Sequence, residues 1–199
     1  MNDFESRVLN GAGRMIQRHM IKISQAGAGT NLKRRVNVTR NYLEDLHKLR
    51  NYLYGGRSTV RNIQGFGRNR LNEDIRMAEQ MYAADLYDYL HDKRINVIHT
   101  ARNIFQEHMA NAPEYNRNST LTAKKIHFQR RARGYRRVKQ YIETQIRNEP
   151  MLAENASIKR LLEKTESDIR KMNILNRRVN TAHERIQTMR RKYPGAGPY

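Results

Sequence analysis

Between residues 121 and 140 the chain reads LTAKKIHFQRRARGYRRVKQ. Lys124, Lys125, Arg130, Arg131, Arg133, Arg136, Arg137 and Lys139 stand there without an acid among them. The chemistry open to such a set is anion recognition. A guanidinium is a planar fork of donors that fits two oxygens of a phosphate, and an ammonium is a compact point charge. On a helix these cations cover too wide an arc for one solvated stripe. Like charges meet at three- and four-residue spacing between Arg130 and Arg133 and between Arg133 and Arg137, and between Lys124 and His127 when the histidine is charged. A solvated face is the usual fate of a charge run, but it would carry interleaved Glu, which this run lacks. Contact with a polyanion relieves the strain instead.

Two further groups of cations join it. Arg14, Arg18, Lys22, Lys33, Arg34, Arg35 and Arg40 flank the segment AGAGT at 26–30, which reads as a joint. A hinged basic arm wraps a polymer more easily than a rigid domain does, and its plain alternative is a disordered tail. The stretch GGRSTVRNIQGFGRNR at 55–70 adds Arg57, Arg61, Arg68 and Arg70, with Phe66 able to stack or anchor. Its glycines let backbone come close to a ligand. The plain alternative is a mobile hairpin loop whose charge only solvates it. Of the 39 cationic residues 28 are Arg, a bias toward bidentate phosphate contact.

Catalytic chemistry finds no comparable footing. His19, His47, His91, His99, His108, His127 and His183 show no metal-ligand spacing, and the neighbours His91–Asp92 and Glu107–His108 point to different helix faces. They read as exposed or phosphate-facing side chains. No serine lies in GxSxG, and there is no cysteine for a disulfide or a thiolate site. The glycine segments lack the Lys-Ser/Thr of a phosphate loop and follow no strand. No catalytic residue, metal site or cofactor is expected. Tyr82, Tyr87 and Tyr89, with Asp85 and Asp88 among them, suit either a protein neighbour or an intramolecular core face.

The elements that must carry these residues are helical almost throughout. Residues 3–25 have helical period interrupted by Gly11 and Gly13. From Asn31 to Tyr54, Leu32, Val36, Leu43, Leu46, Leu49 and Leu53 recur mainly by three and four, with Thr30 or Asn31 as the opening cap and Gly55 as the close. Asn72 is placed to cap a helix over 73–111, with Glu73 and Asp74 at its positive end; such a helix is roughly 58 Å long. A helix over 121–149 carries the basic run, with Phe128, Ala132, Tyr135, Ile142 and Ile146 on its apolar side. Pro150 permits a new start, and 151–192 follows, where Leu161, Thr165, Asp168, Met172, Leu175, Val179, Ala182, Ile186 and Met189 keep a heptad rhythm broken only at Thr165 and Asp168. The expected fold is all-α: long helices in an extended bundle or hairpins (31–199), preceded by a basic Gly-containing arm (1–30).

Composition bounds the function. A net charge of +20 over 199 residues, with 38% hydrophobic residues and no Trp, implies a polyanionic partner and helices that complete their burial against other subunits. The charge is uneven: +10 over 1–70, −3 over 71–120, +8 over 121–140 and +5 over 141–199. No apolar run reaches membrane-spanning length, and the N-terminus lacks a signal-peptide core. The sequons at Asn37, Asn118 and Asn155 then read as chance. No zinc finger, RNP motif or short helix-turn-helix is present, so binding should be electrostatic, with a log–log salt slope near roughly −7 if about eight phosphates are neutralised.

The segment NGAGRMIQRHMIKISQAGAGTNLKRR, the all-helical body and dispersed Arg without enzymatic motifs resemble the α-helical capsid proteins of filamentous archaeal viruses. That resemblance implies subunits whose basic helices wrap double-stranded DNA, A-form included, beside a related second capsid protein. The 19 Asn and 9 Met depart from what a very hot environment favours. The chain is also similar, in helicity and lack of cysteine, to the internal virion proteins that short-tailed phages eject with their DNA, though no segment has the apolarity that group needs for membrane insertion. The expectation is a non-enzymatic structural protein that coats nucleic acid, a viral capsid or nucleocapsid subunit with double-stranded DNA favoured over RNA. Self-association or a related subunit, and a place in a virion assembled in host cytoplasm, go with it. A DNA-ejection protein and a ribosome-type RNA-binding protein are the alternatives.

Overall fold

A computed structural model describes residues 3–27, 31–55, 68–116 and 118–193. Among the described residues there are five α-helices, one short 3-10 helix and no strand: α1 Asp3–Gln25, α2 Leu32–Tyr54, α3 Arg68–Met109, α4 Leu121–Asn148, the 3-10 helix Pro150–Glu154, and α5 Ala156–Lys192. The all-α class is as the periodicity indicates. The chain divides within α3 into two compact units, residues 1–92 and 93–199.

In the first unit Tyr42, Leu46 and Leu53 of α2 meet Leu71, Ile75 and Ala78 of α3 in a buried cluster, and Val8, Met15, Ile16 and Ile23 of α1 pack on it. This changes the expected division of the chain, which set residues 1–30 apart as an arm. Helix α1 runs unbroken through Gly11 and Gly13. Each glycine costs about 1 kcal/mol in a helix interior. The stripe of buried Ala12 and partly buried Val8, Met15, Ile16 and Ile23 offsets that, each large side chain contributing a part of the about 1.5–3 kcal/mol of full burial. Asn31 caps α2 by accepting from the Lys33 amide at 3.0 Å. Gly55 closes it: a Cβ there would stand 2.2 Å from the Asn51 carbonyl oxygen, so only glycine fits.

Helix α3 starts four residues before the expected Asn72 cap, which lies inside it. Leu71 continues the Ile75–Ala78 stripe one turn upstream and is fully buried, and that burial extends the helix. In the second unit α4 and α5 form a hairpin. Ile158, Thr165, Met172 and Val179 are buried at seven-residue steps, the heptad read from the sequence. The break at Thr165 is satisfied internally, its hydroxyl donating to the Leu161 carbonyl at 2.7 Å. Residues 151–154, expected in the last α-helix, form the 3-10 helix instead. Asn155 then caps α5, accepting from the amides of Ser157 and Ile158 at 3.0 and 3.3 Å, which gives that residue a structural role independent of its sequon.

Candidate nucleic-acid interface

The cations of the first unit lie on α1 and α2. Arg14, Arg18 and Lys22 recur every four residues along one exposed side of α1, each step rising about 6 Å. They border a cleft of about 520 Å³ whose opposite wall is Asn41, Glu44, Asp45 and Lys48 of α2. Carboxylates temper this seam. Asp45 accepts from His19 Nε2 at 3.0 Å and from Lys48 Nζ at 3.1 Å. Burial works to raise the Asp45 carboxyl, but those two partners outweigh it and hold it below the ordinary carboxylate range. Arg40 reaches Glu44 at 3.9 Å and Asn37 Oδ1 at 3.4 Å.

Arg35 departs furthest from its expected role. Its guanidinium donates to Asp85 of α3, and Asp85 is only 7% exposed. A buried carboxylate is tolerable only when paired, so Arg35 is committed to the fold and not free for phosphate. The expected tyrosine patch separates accordingly. Asp85 points inward, Tyr82 and Tyr89 are half-buried, and Tyr87, 69% exposed, stacks on His91. Lys33 and Arg34 are exposed at the start of α2. Arg68 lies 5.9 Å over the Tyr54 ring and Arg70 is exposed. Arg57, Arg61 and Phe66 fall outside the described residues.

The basic run of α4 is divided by the fold, and its wide arc is the reason. Lys139 turns to α5, meeting Glu166 at 2.7 Å and Glu143 of its own helix at 3.6 Å. The hydrogen bond with Glu166 raises the Lys139 ammonium against its desolvation and lowers the Glu166 carboxyl. Arg136 donates to Asn173 Oδ1 at 3.1 Å, and Arg130 donates to the Asn111 carbonyl. Arg131 caps an aromatic pair, 5.9 Å over both Phe105 and Tyr135, whose rings stack at 4.5 Å. Lys124 and Lys125 are half-buried. Arg133, Arg136 and Arg137 of the run are exposed without a carboxylate within ion-pair distance among the described residues, and of these Arg136 is engaged by Asn173.

One residue that the sequence did not single out, Gly134, shapes this face together with His108. Gly134 is buried in mid-helix, and a Cβ there would stand 3.2 Å from both Phe105 Cδ2 and His108 Cδ2. It is the close approach that lets α4 meet α3, and a lone glycine inside a cationic helix was the available signal. Burial, and then the charges of Arg137, Arg130 and Arg133, hold the His108 imidazole below its ordinary value. Two other histidines, expected to be exposed or phosphate-facing, are buried. His127 faces the Pro113 carbonyl at 3.1 Å, and His19 is tilted against Tyr42 at 5.3 Å beside its bond to Asp45.

Among the described residues no cluster of three potential metal ligands occurs, and no helix is long and apolar enough to cross a membrane. No protein-family model, curated protein or solved structure matches the chain.

Proposed function

We propose that the protein is a non-enzymatic structural subunit that coats nucleic acid through phosphate contacts, a viral capsid or nucleocapsid component on double-stranded DNA. One observation carries this reading: Arg133 and Arg137, one turn apart on α4, face solvent with no carboxylate answering them among the described residues. Cations left in that state on a chain of net charge +20 attract a polyanion and release its counterions. Arg14, Arg18 and Lys22 form a second row, and Lys33, Arg34 and Arg70 add exposed charge. A duplex fits better than a single strand. Single-strand binding uses aromatic platforms for bases, whereas Phe105 and Tyr135 are stacked on each other and capped by Arg131.

The test is duplex binding by the full chain across a salt titration starting near about 50 mM, with electron microscopy of the product. Salt-sensitive binding without sequence preference, and filaments holding a fixed number of base pairs per subunit, are expected. Absence of salt-sensitive duplex binding overturns the reading, and strong preference for folded RNA moves it to an RNA-binding protein.

A further inference from the structure

His108 stands in the last turn of α3 with its ring against the backbone of α4 at Gly134. Glycine is a costly choice in mid-helix, and here it admits the imidazole against α4, within about one turn of Arg130, Arg133 and Arg137 along that helix. The ring's Nε2 is shielded from solvent and has no hydrogen-bond partner among the described residues. Burial is the first restraint on the ring's proton, and the charges that add to it are those of Arg137, Arg130 and Arg133, all on α4, with no carboxylate of α3, α4 or α5 among them. Arg130 is held by the Asn111 carbonyl, while Arg133 and Arg137 are open to an incoming anion.

An arriving phosphate offsets part of the positive field at this point. The three guanidinium groups repel a proton from the imidazole less once an anion's charge stands among them. No direct contact between phosphate and ring is required, because the effect travels through charge. We propose, resting on the nucleic-acid reading above, that His108 couples polyanion binding to proton uptake. The ring is neutral in the free chain and protonated when a phosphodiester lies among Arg130, Arg133 and Arg137. A group with higher proton affinity in the bound state contributes affinity that is present at low pH and fades as pH rises through its bound-state value. The grip on nucleic acid therefore tightens in mildly acidic solution.

The experiment compares duplex affinity at about pH 5.5 and about pH 7.5, at fixed low salt, for the wild type and H108Q. The quantity read is the ratio of the two affinities in each protein, so that the other histidines cancel. The wild-type ratio should exceed that of H108Q by up to about tenfold, which corresponds to a ring that holds its proton about ten times more tightly in the bound state than in the free one. Equal ratios overturn the proposal and leave duplex binding intact. No duplex binding by either protein at any pH overturns this proposal and the nucleic-acid reading together. An NMR titration of the His108 ring in the wild-type full chain keeps the matter decidable if H108Q loses helicity. Its midpoint must rise on adding duplex, and an unmoved or lowered midpoint overturns the coupling.

Discussion

The α1–α2 seam of the first unit and the exposed face of α4 in the second start from similar material. Residues 1–70 carry a net +10 and residues 121–140 a net +8. They differ in what the fold brings beside the cations. In the first unit Asp45 answers His19 and Lys48, Glu44 stands beside Arg40, and Asp85 holds Arg35. On α4, Glu143 and Glu166 answer Lys139, and among the described residues no carboxylate answers Arg133 or Arg137. The net +10 already subtracts Glu44 and Asp45 but not Asp85, so summing charge along the chain overstates the first region by the cation that Asp85 holds. Charges near in sequence set the number of cations; carboxylates distant in sequence decide which of them remain available.

The largest effect expected from breaking this contrast is at Arg35. Arg35→Met keeps the apolar stem and removes the partner of Asp85, leaving a buried carboxylate unpaired. A loss of about 3 kcal/mol is expected in denaturant unfolding. The salt slope of duplex binding should not change. A stable variant with a flattened slope would place Arg35 on the interface and erase the distinction drawn here.

Arg133 and Arg137 should behave in the opposite way. Replacing both with Gln should leave stability within about 0.5 kcal/mol, as surface substitutions do. The log–log salt slope should become shallower by about 2, roughly 0.9 for each phosphate no longer neutralised. An unchanged slope would show that these two arginines do not meet phosphate.

Much of the architecture was open to reading in the sequence because helical burial repeats locally. The rhythm through Thr165, Met172 and Val179 of α5 reappears as buried positions. The site was less open, for a physical reason. Arg35 and Asp85 are fifty residues apart, and no period links them. The docking of α1 depends on a surface supplied by α2 and α3, so the glycines at 11 and 13 suggested interruption where burial restores the helix. Phe105, His108 and Gly134 form a contact between helices that is visible only once α3 and α4 are placed together.

Glycine substitution sharpens the same contrast at about 1 kcal/mol. Nothing lies within 4 Å of a Cβ added at Gly13, so Gly13→Ala should stabilise α1 by about 0.5–1 kcal/mol. Gly134→Ala gains the same propensity but pushes a methyl to 3.2 Å from the Phe105 and His108 rings. Those rings are held by Tyr135 and the α4 backbone, so overpacking should prevail and the net loss should be about 1 kcal/mol. Thermal unfolding of the two variants checks both signs, and a stabilising Gly134→Ala would show that α3 and α4 part easily.

The smallest effect concerns acid. The Asp45 carboxyl is held below its ordinary range because hydrogen bonds from His19 and Lys48 outweigh its desolvation. A depressed carboxylate adds stability that is present above its unfolded value, near about 4, and lost as pH falls through its folded value. Asp45→Asn removes that contribution. The side chain is 34% exposed and its partner Lys48 more so, which limits the difference at neutral pH to less than about 1 kcal/mol at low salt, and less at high salt. Denaturant midpoints of wild type and Asp45→Asn should differ at neutral pH and converge toward about pH 3. A difference independent of pH would mean that the carboxylate charge contributes nothing. Convergence carries a corollary for the seam. As Asp45 takes its proton, Arg14, Arg18 and Lys22 lose a tempering charge across the cleft, and the first unit moves toward the uncompensated state that Arg133 and Arg137 hold at neutral pH.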